Sequence, residues 1–388
     1  MRLLAAIAGL ALLLVILWDC FETIILPRRV TREFRITRAF YRVTWKAWSA
    51  AARRRSLGRF RTAYLSYYGP LSLLLLFVVW VAALIVSFGL LHWAAGSAIN
   101  VQGGPPSFLS DLYLSGTTFF TLGIGDVTPH SELARLITVV ESGTGFGLLA
   151  IVISYLPVLY GSFSEREVNI SLLDARAGSP PTAGELLRRH AAPEHSAALI
   201  EYLQEWERWS AELMESHLSY PILCYFRSQH SNQSWIAGLT TILDASAFLM
   251  AYGPESIRFQ AQLTYAIARH AVVDLAVVVA APPRPPAADR LPAEDRNLLL
   301  ESLASAGMAL KTTGGEEVLA RLRPAYEPYL VALSNRFIMP LPTWLPGQRS
   351  LDNWQRSAWD AKTLTQRTRS ARTERRSRYK ALKDDGGE

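Results

Sequence analysis

Cysteine is nearly absent. Cys20 and Cys224 are the only two in 388 residues, one in an apolar segment and one far along the chain. No disulfide framework and no cysteine-based metal site can be built from them. Lys and Arg are missing altogether between positions 62 and 134, and acids are nearly missing from 28–61, where Glu33 stands against twelve Lys and Arg. No G-x-G-x-x-G occurs and no strand–helix alternation follows the apolar half, which argues against a nucleotide-binding domain of the Rossmann type. No β-roll pattern for a cyclic-nucleotide module is present either. No Ser/His/Asp arrangement stands out, so an enzyme is the reading with the least support.

Apolar residues are abundant, half of the chain with eleven Trp, and they concentrate in the first 163 positions. The composition therefore divides the protein into a membrane half and a soluble half. The net charge of +7 is uneven, with the block at 28–61 and ten more Lys and Arg between Arg356 and Lys383. A basic balance can signal nucleic acid. Here the first block lies between apolar segments, so the positive-inside rule and contact with anionic membrane lipids through Arg and Lys of 28–61 explain it better. No nucleic acid and no soluble substrate is expected.

Residues 1–27 read as a first transmembrane helix. A cleaved signal peptide fits less well, because no small-residue cleavage pattern precedes the basic stretch. With its N-terminus outside, the helix delivers Arg28 onward to the cytoplasm, and Asp19 and Glu22 fall near the inner interface, as anchors or as partners of Arg28 or Arg29. Residues 28–68 interleave basic and aromatic side chains, among them Arg35, Arg38, Tyr41, Arg42, Trp45, Lys46 and Trp48. That mixture suits an amphipathic helix on the cytoplasmic membrane face. It lacks the every-third-residue arginines in an apolar span that a voltage sensor requires.

Residues 70–92 supply about 23 apolar positions, enough for one span at 1.5 Å per residue. Residues 96–107 are turn-rich, and a short helix capped by Ser107 or Ser110 runs through Leu112 to Phe120. Then comes TTFFTLGIGD at 117–126, ahead of a second long apolar segment at 136–160. A cation filter needs a short backbone run whose carbonyls face one axis and replace the ion's water. Gly123 and Gly125 supply the positions where positive φ is cheap. The segment resembles the selectivity filter of the potassium-channel superfamily, and residues 70–163 resemble its pore module of outer helix, pore helix, filter and inner helix. The resemblance matches Thr121, Leu122, Gly123, Ile124 and Gly125 to the five filter positions and Asp126 to the acid at the outer mouth. Leu122 stands where the family usually has Val. Ile124 stands where it has Tyr or Phe, which leaves apolar packing to brace the filter. The resemblance implies potassium selectivity, no cofactor, no metal beyond permeating potassium, and no catalytic residues. One filter segment per chain then implies a homotetramer, since ring closure is what surrounds the ion.

After the filter, Pro129 and His130 break the strand and an inner helix begins near Glu132. Gly143, Gly145 and Gly147 superficially resemble a phosphate loop but have no preceding strand or following Lys. Close helix packing accounts for them better, and with Pro157 they are the candidate hinge and gate of the inner helix. From Ser164 the composition turns polar. Helical periodicity covers 184–218 with a break at Pro193, then 235–252, 255–280, 294–310 and 315–334, with a Pro-rich connector at 280–292. His217, Cys224 and His230 read as a buried hydrogen-bonded cluster or a subunit contact, since their spacing does not suit a metal.

The expected fold is an all-α membrane protein: three transmembrane helices and one re-entrant pore helix with its filter, then an all-α cytoplasmic domain. Its divisions are 1–27, 28–68, 69–163 (pore module), 164–350 (helical domain) and 351–388 (basic tail). The expected function is passive, potassium-selective conduction in an inner membrane. The alternatives are a weakly selective cation channel and a non-conducting, membrane-anchored helical scaffold.

Overall fold

The computed structural model describes residues 1–26, 35–54, 59–101, 105–229, 232–311, 313–347, 352 and 355. Apart from one small ribbon these residues form an all-helical membrane protein. The first part of the chain comprises α1 (Arg2–Cys20), extended by a wide turn over Phe21–Ile25, then α2 (Ile36–Arg53), α3 (Arg59–Ser66) and α4 (Tyr68–Ala94). There follow β1 (Ile99–Val101), α5 (Phe108–Phe119), β2 (Val127–Pro129) and α6 (Glu132–Ala177). The helical domain adds α7 (Ala183–Arg189), α8 (Ser196–Ser219), α9 (Trp235–Tyr252), α10 (Glu255–Val278), α11 (Ala293–Ser305), α12 (Gly315–Leu322) and α13 (Glu327–Phe337).

Among the described residues, four helical stretches are long and apolar enough to cross a membrane: Arg2–Ile25, Phe60–Ala94, Glu132–Ala177 and Trp235–Tyr252. Burial separates them. The apolar window of α9 is 94% buried among its neighbours, whereas that of α6 is only 17% buried. A helix that is apolar all round and wrapped by other helices is a domain core. The α9 helix therefore forms the centre of the helical domain, with α10, α12, α7 and α13 packed around it. An apolar helix left uncovered wants lipid or another subunit, and that describes α6.

Helices α1 and α4 pack along each other at a point where neither has bulk. A Cβ on Gly9 would lie 2.9 Å from the Ser87 carbonyl oxygen, and Ser87 Oγ donates to the Gly9 carbonyl at 2.7 Å. Small residues permit such an approach, and the hydroxyl satisfies a backbone acceptor where water is scarce. At the other end of α1, Asp19 is buried and accepts from the Thr37 amide (3.2 Å), the Thr37 hydroxyl (2.6 Å) and Trp80 Nε1 (3.0 Å). One carboxylate of α1 thus caps the first turn of α2 and pins α4. Glu22 accepts from Trp18 Nε1 at 2.8 Å and lies 3.4 Å from Arg35. The acids act through these contacts, and the expected partners Arg28 and Arg29 lie outside the described residues.

The aromatic face of α2 differs from expectation. It packs on the helical domain: Trp45 is buried, donates to the Arg336 carbonyl at 2.9 Å, and meets Tyr225 and Phe337 edge-on or tilted. Tyr41 stacks on Tyr225 with centroids 5.7 Å apart. Such ring contacts add about 0.5–1.5 kcal/mol each beyond area burial. The basic residues Arg42 and Lys46 stay on the exposed side of the same helix.

Helix α6 does not stop at the compositional change near Ser164. It runs 46 residues to Ala177, about 69 Å at 1.5 Å per residue. Beyond the polar switch, Arg166, Ile170, Leu173, Asp174 and Ala177 are buried at helical spacing. The inner helix is therefore also part of the helical domain. Arg166 is its latch, donating to the carbonyls of Leu223 and Phe226 (3.0 Å each), pairing with Glu167 at 2.8 Å and facing His217 Nε2 at 3.1 Å. Burial, then the adjacent Arg166 cation, holds His217 well below its ordinary range, and burial pushes the Cys224 thiol up to about 12. His217 and Cys224 belong to a buried cluster, while His230 lies outside the described residues. The stretch expected as one helix at 315–334 is two, since Arg323–Ala325 forms a tight turn at Pro324, which cannot donate an interior helical bond.

Candidate functional site

The pore-helix candidate, α5, starts where the sequence places it. Ser107 caps it by accepting from the Ser110 amide at 3.2 Å. Its last turn hands over directly to the filter segment: the amides of Phe120, Thr121 and Leu122 donate to the carbonyls of Gly116, Thr118 and Thr117 at 3.1, 2.9 and 2.8 Å. Positive φ then recurs at every second residue, +55° at Thr121, +56° at Gly123 and +86° at Gly125. Alternation between ordinary and left-handed backbone is what turns successive carbonyls toward one side, a ribbon that neither helix nor sheet provides. Nothing lies within 4 Å of where a Cβ on Gly123 or Gly125 would sit. The glycines are thus required by conformation, not by space. Thr121 adopts the left-handed region without that freedom, at a cost of about 1–2 kcal/mol, and the sequence did not announce it.

The flanks of this segment are held firmly. Strands β1 and β2 pair antiparallel, Asn100 opposite Thr128, and the His130 amide donates to the Ala98 carbonyl at 2.8 Å. Asp126 accepts from the amide of Val127 at 3.0 Å. Leu122 and Ile124 are each 62% exposed in the single chain, so the segment presents an uncovered edge.

Behind the segment lies a polar cluster that sequence reasoning missed. Glu141 of α6, Asp111 of α5 and His92 of α4 are all fully buried. Ser115 donates to Glu141 and also to the Ile85 carbonyl at 2.8 Å. His92 Nε2 lies 3.6 Å from Glu141, and Asp111 accepts from Ser97 Oγ at 2.6 Å. Three helices and the turn before β1 therefore meet at ionisable groups inside an apolar setting. Such groups are costly to bury and hold together only as a set. An acid in an otherwise apolar helix, Glu141, was the one visible hint.

The candidate hinge residues separate. A Cβ on Gly145 would collide with the Phe119 carbonyl, two residues before Thr121, so Gly145 lets α6 touch the end of α5. Gly143 and Gly147 have nothing within 4 Å. Pro157 lies inside α6, which continues to Ala177. Among the described residues no group of three or more His, Cys, Asp or Glu is placed to hold a metal ion.

Residues 73–159 match the family described as "Ion channel". An uncharacterized membrane protein of Bacillus subtilis (strain 168), YdjJ, is 29% identical over 196 residues, covering 49% of this chain and 56% of that protein. The chain thus spans just over half the length of that relative. No solved structure matches. The TLGIGD segment falls inside the matched stretch, so residues 73–159 are similar to an ion-channel domain within an all-helical membrane protein.

Proposed function

We propose that the protein is a homotetrameric, potassium-selective channel that conducts passively through the backbone of Thr121, Leu122, Gly123, Ile124 and Gly125. The observation that carries this reading is the alternation of positive φ at 121, 123 and 125, directly after a pore helix and between two apolar helices of which α6 is largely uncovered. Carbonyls aligned by that alternation replace the water of a dehydrating cation only when several chains close a ring. The exposed edge of the segment and the uncovered surface of α6 favour such closure, and four copies suit one filter segment per chain. Asp126 raises cation concentration at the outer mouth. The helical domain assembles the tetramer or acts on the gate near Pro157 through the unbroken α6. In this reading the N-terminus lies outside an inner membrane, the helical domain is cytoplasmic, and the Arg and Lys of 28–61 face anionic lipids. The protein needs no cofactor beyond the potassium ions in transit and catalyses no covalent chemistry.

A second reading, a cation channel that also passes sodium, rests on Ile124. Without a ring or hydroxyl behind the filter, its diameter is held by apolar packing alone. Flux of potassium and of sodium into proteoliposomes, with Gly123→Ala as control, tests both. Potassium-selective flux lost in the variant supports the proposal. Equal sodium flux favours the weakly selective pore instead, and silence across pH, lipid and voltage favours a scaffold.

A further inference from the structure

A cavity of about 450 Å³ lies where α1 ends and α2 begins, walled also by α4, α6, α10 and α13. Its volume falls in the ~300–1,000 Å³ range of ligand pockets. One wall is apolar, with Leu76, Phe77 and Trp80 of α4 beside Tyr155 of α6. The other is cationic. Arg38 and Arg42 lie one turn apart on α2, and Arg336 comes from α13. Arg35 also lines the cavity but is committed to Glu22 and to Thr23 Oγ1 (3.1 Å). None of Arg38, Arg42 and Arg336 forms an ion pair with a carboxylate among the described residues. Arginines scattered on a surface are ordinarily just solvated. These three converge from two separate helices on one half-apolar cavity, and Arg336 Nε is buried with no hydrogen-bond partner. A buried donor of that kind calls for an acceptor.

We propose that this cavity binds an anionic phospholipid of the cytoplasmic leaflet, its phosphate on Arg38, Arg42 and Arg336 and its upper acyl chain against Phe77 and Trp80. The guanidinium fork suits phosphate oxygens, and the apolar wall suits a hydrocarbon stem that a free anion would lack. The cavity touches α2, the helical domain and, at Tyr155, the inner helix two residues before Pro157. A bound lipid therefore bridges the membrane-facing arm and the candidate gate. The proposal takes its leaflet from the topology proposed above, but the binding test below reads neither topology nor conduction, so the two fail separately.

The test uses the full chain purified in a neutral maltoside detergent, titrated with phosphatidylglycerol, phosphatidylcholine or glycerol phosphate, with thermal stability and native mass spectrometry as readouts. Phosphatidylglycerol should bind and raise the melting temperature, and the other two should not. The triple variant Arg38→Gln, Arg42→Gln, Arg336→Gln should bind phosphatidylglycerol at least tenfold more weakly. A pair of control substitutions on exposed residues of the same arm, Lys46→Gln and Arg54→Gln, should leave it unchanged. Should the triple variant misfold, the exposed Arg42→Gln alone carries the comparison, with a smaller loss of binding expected. Equal binding of phosphatidylcholine overturns the proposal, as does equal weakening by the control pair, which would reduce the effect to diffuse surface charge. An equal response to glycerol phosphate assigns the site to a free anion and overturns the lipid.

Discussion

Replacing Gly145 by Ala should damage the protein, while the same change at Gly143 or Gly147 should not. All three positions are in the interior of α6, where Gly→Ala gains about 1 kcal/mol of helix propensity. At Gly143 and Gly147 nothing opposes that gain, because no atom lies within 4 Å of the new methyl. At Gly145 the methyl runs into the Phe119 carbonyl, which belongs to the backbone of α5 and cannot swing away as a flexible side chain would. Overpacking of this kind costs about 1–3 kcal/mol, so the net effect spans from near zero to about 2 kcal/mol of destabilisation. At roughly 2–4 °C per kcal/mol for domains of a few hundred residues, the upper end is a measurable fall in melting temperature. The displaced α5 terminus also leads straight into Thr121, so ion flux should fall with it. Thermal melts in detergent and flux in proteoliposomes read the two effects on the same three variants. If the three substitutions behave alike, with Gly145→Ala no less stable than Gly143→Ala and Gly147→Ala, the packing account is refuted and a shared hinge takes its place.

Asp19→Ala should remove the cap of α2 and the acceptor of Trp80 together, lowering stability by about 2 kcal/mol, above the typical ~1 kcal/mol of a single cap; thermal melts of the two forms check it. Arg166→Met leaves the Leu223 and Phe226 carbonyls without their donor and Glu167 with only Ser228, so a loss of about 3 kcal/mol is expected by analogy with breaking a buried pair, seen as an earlier denaturation midpoint. Acid should weaken the fold through His217. Its folded pKa lies well below the unfolded value, so its contribution is complete above about pH 6.5 and falls as pH drops further, by up to ~1.4 kcal/mol per unit while the unfolded chain alone takes up the proton. His217→Gln should flatten the stability–pH slope between about pH 6.5 and 5 relative to the parent, and an unchanged slope would rule the histidine out.

What the sequence made legible was local. Gly123 and Gly125 declared a left-handed backbone, and Pro193, Pro254, Pro292 and the proline run after Ala281 punctuated helices whose observed ends fall within a few residues of the expected ones. Pro324 was not legible in the same way: it splits the expected final helix into α12 and α13. The polar switch at Ser164 looked like an end but is not, because a helix can pass from lipid to protein while keeping one buried face, here Arg166, Ile170 and Leu173. The contacts that organise the site are all long-range in sequence. Asp19 to Thr37 and Trp80, Glu141 to Ser115 and His92, and Trp45 to Arg336 join elements that no periodicity relates. Thr121 hides for another reason: its positive φ is imposed by the ribbon around it and not by its own preference.

The central claim is that backbone carbonyls at 121–125 select potassium. The most direct measurement is the reversal potential of the purified protein in a planar bilayer, with potassium on one side and sodium on the other. The account predicts a reversal far from zero in the direction of the potassium equilibrium potential, and no current from Gly123→Ala. A reversal near zero, or full current in that variant, would contradict it.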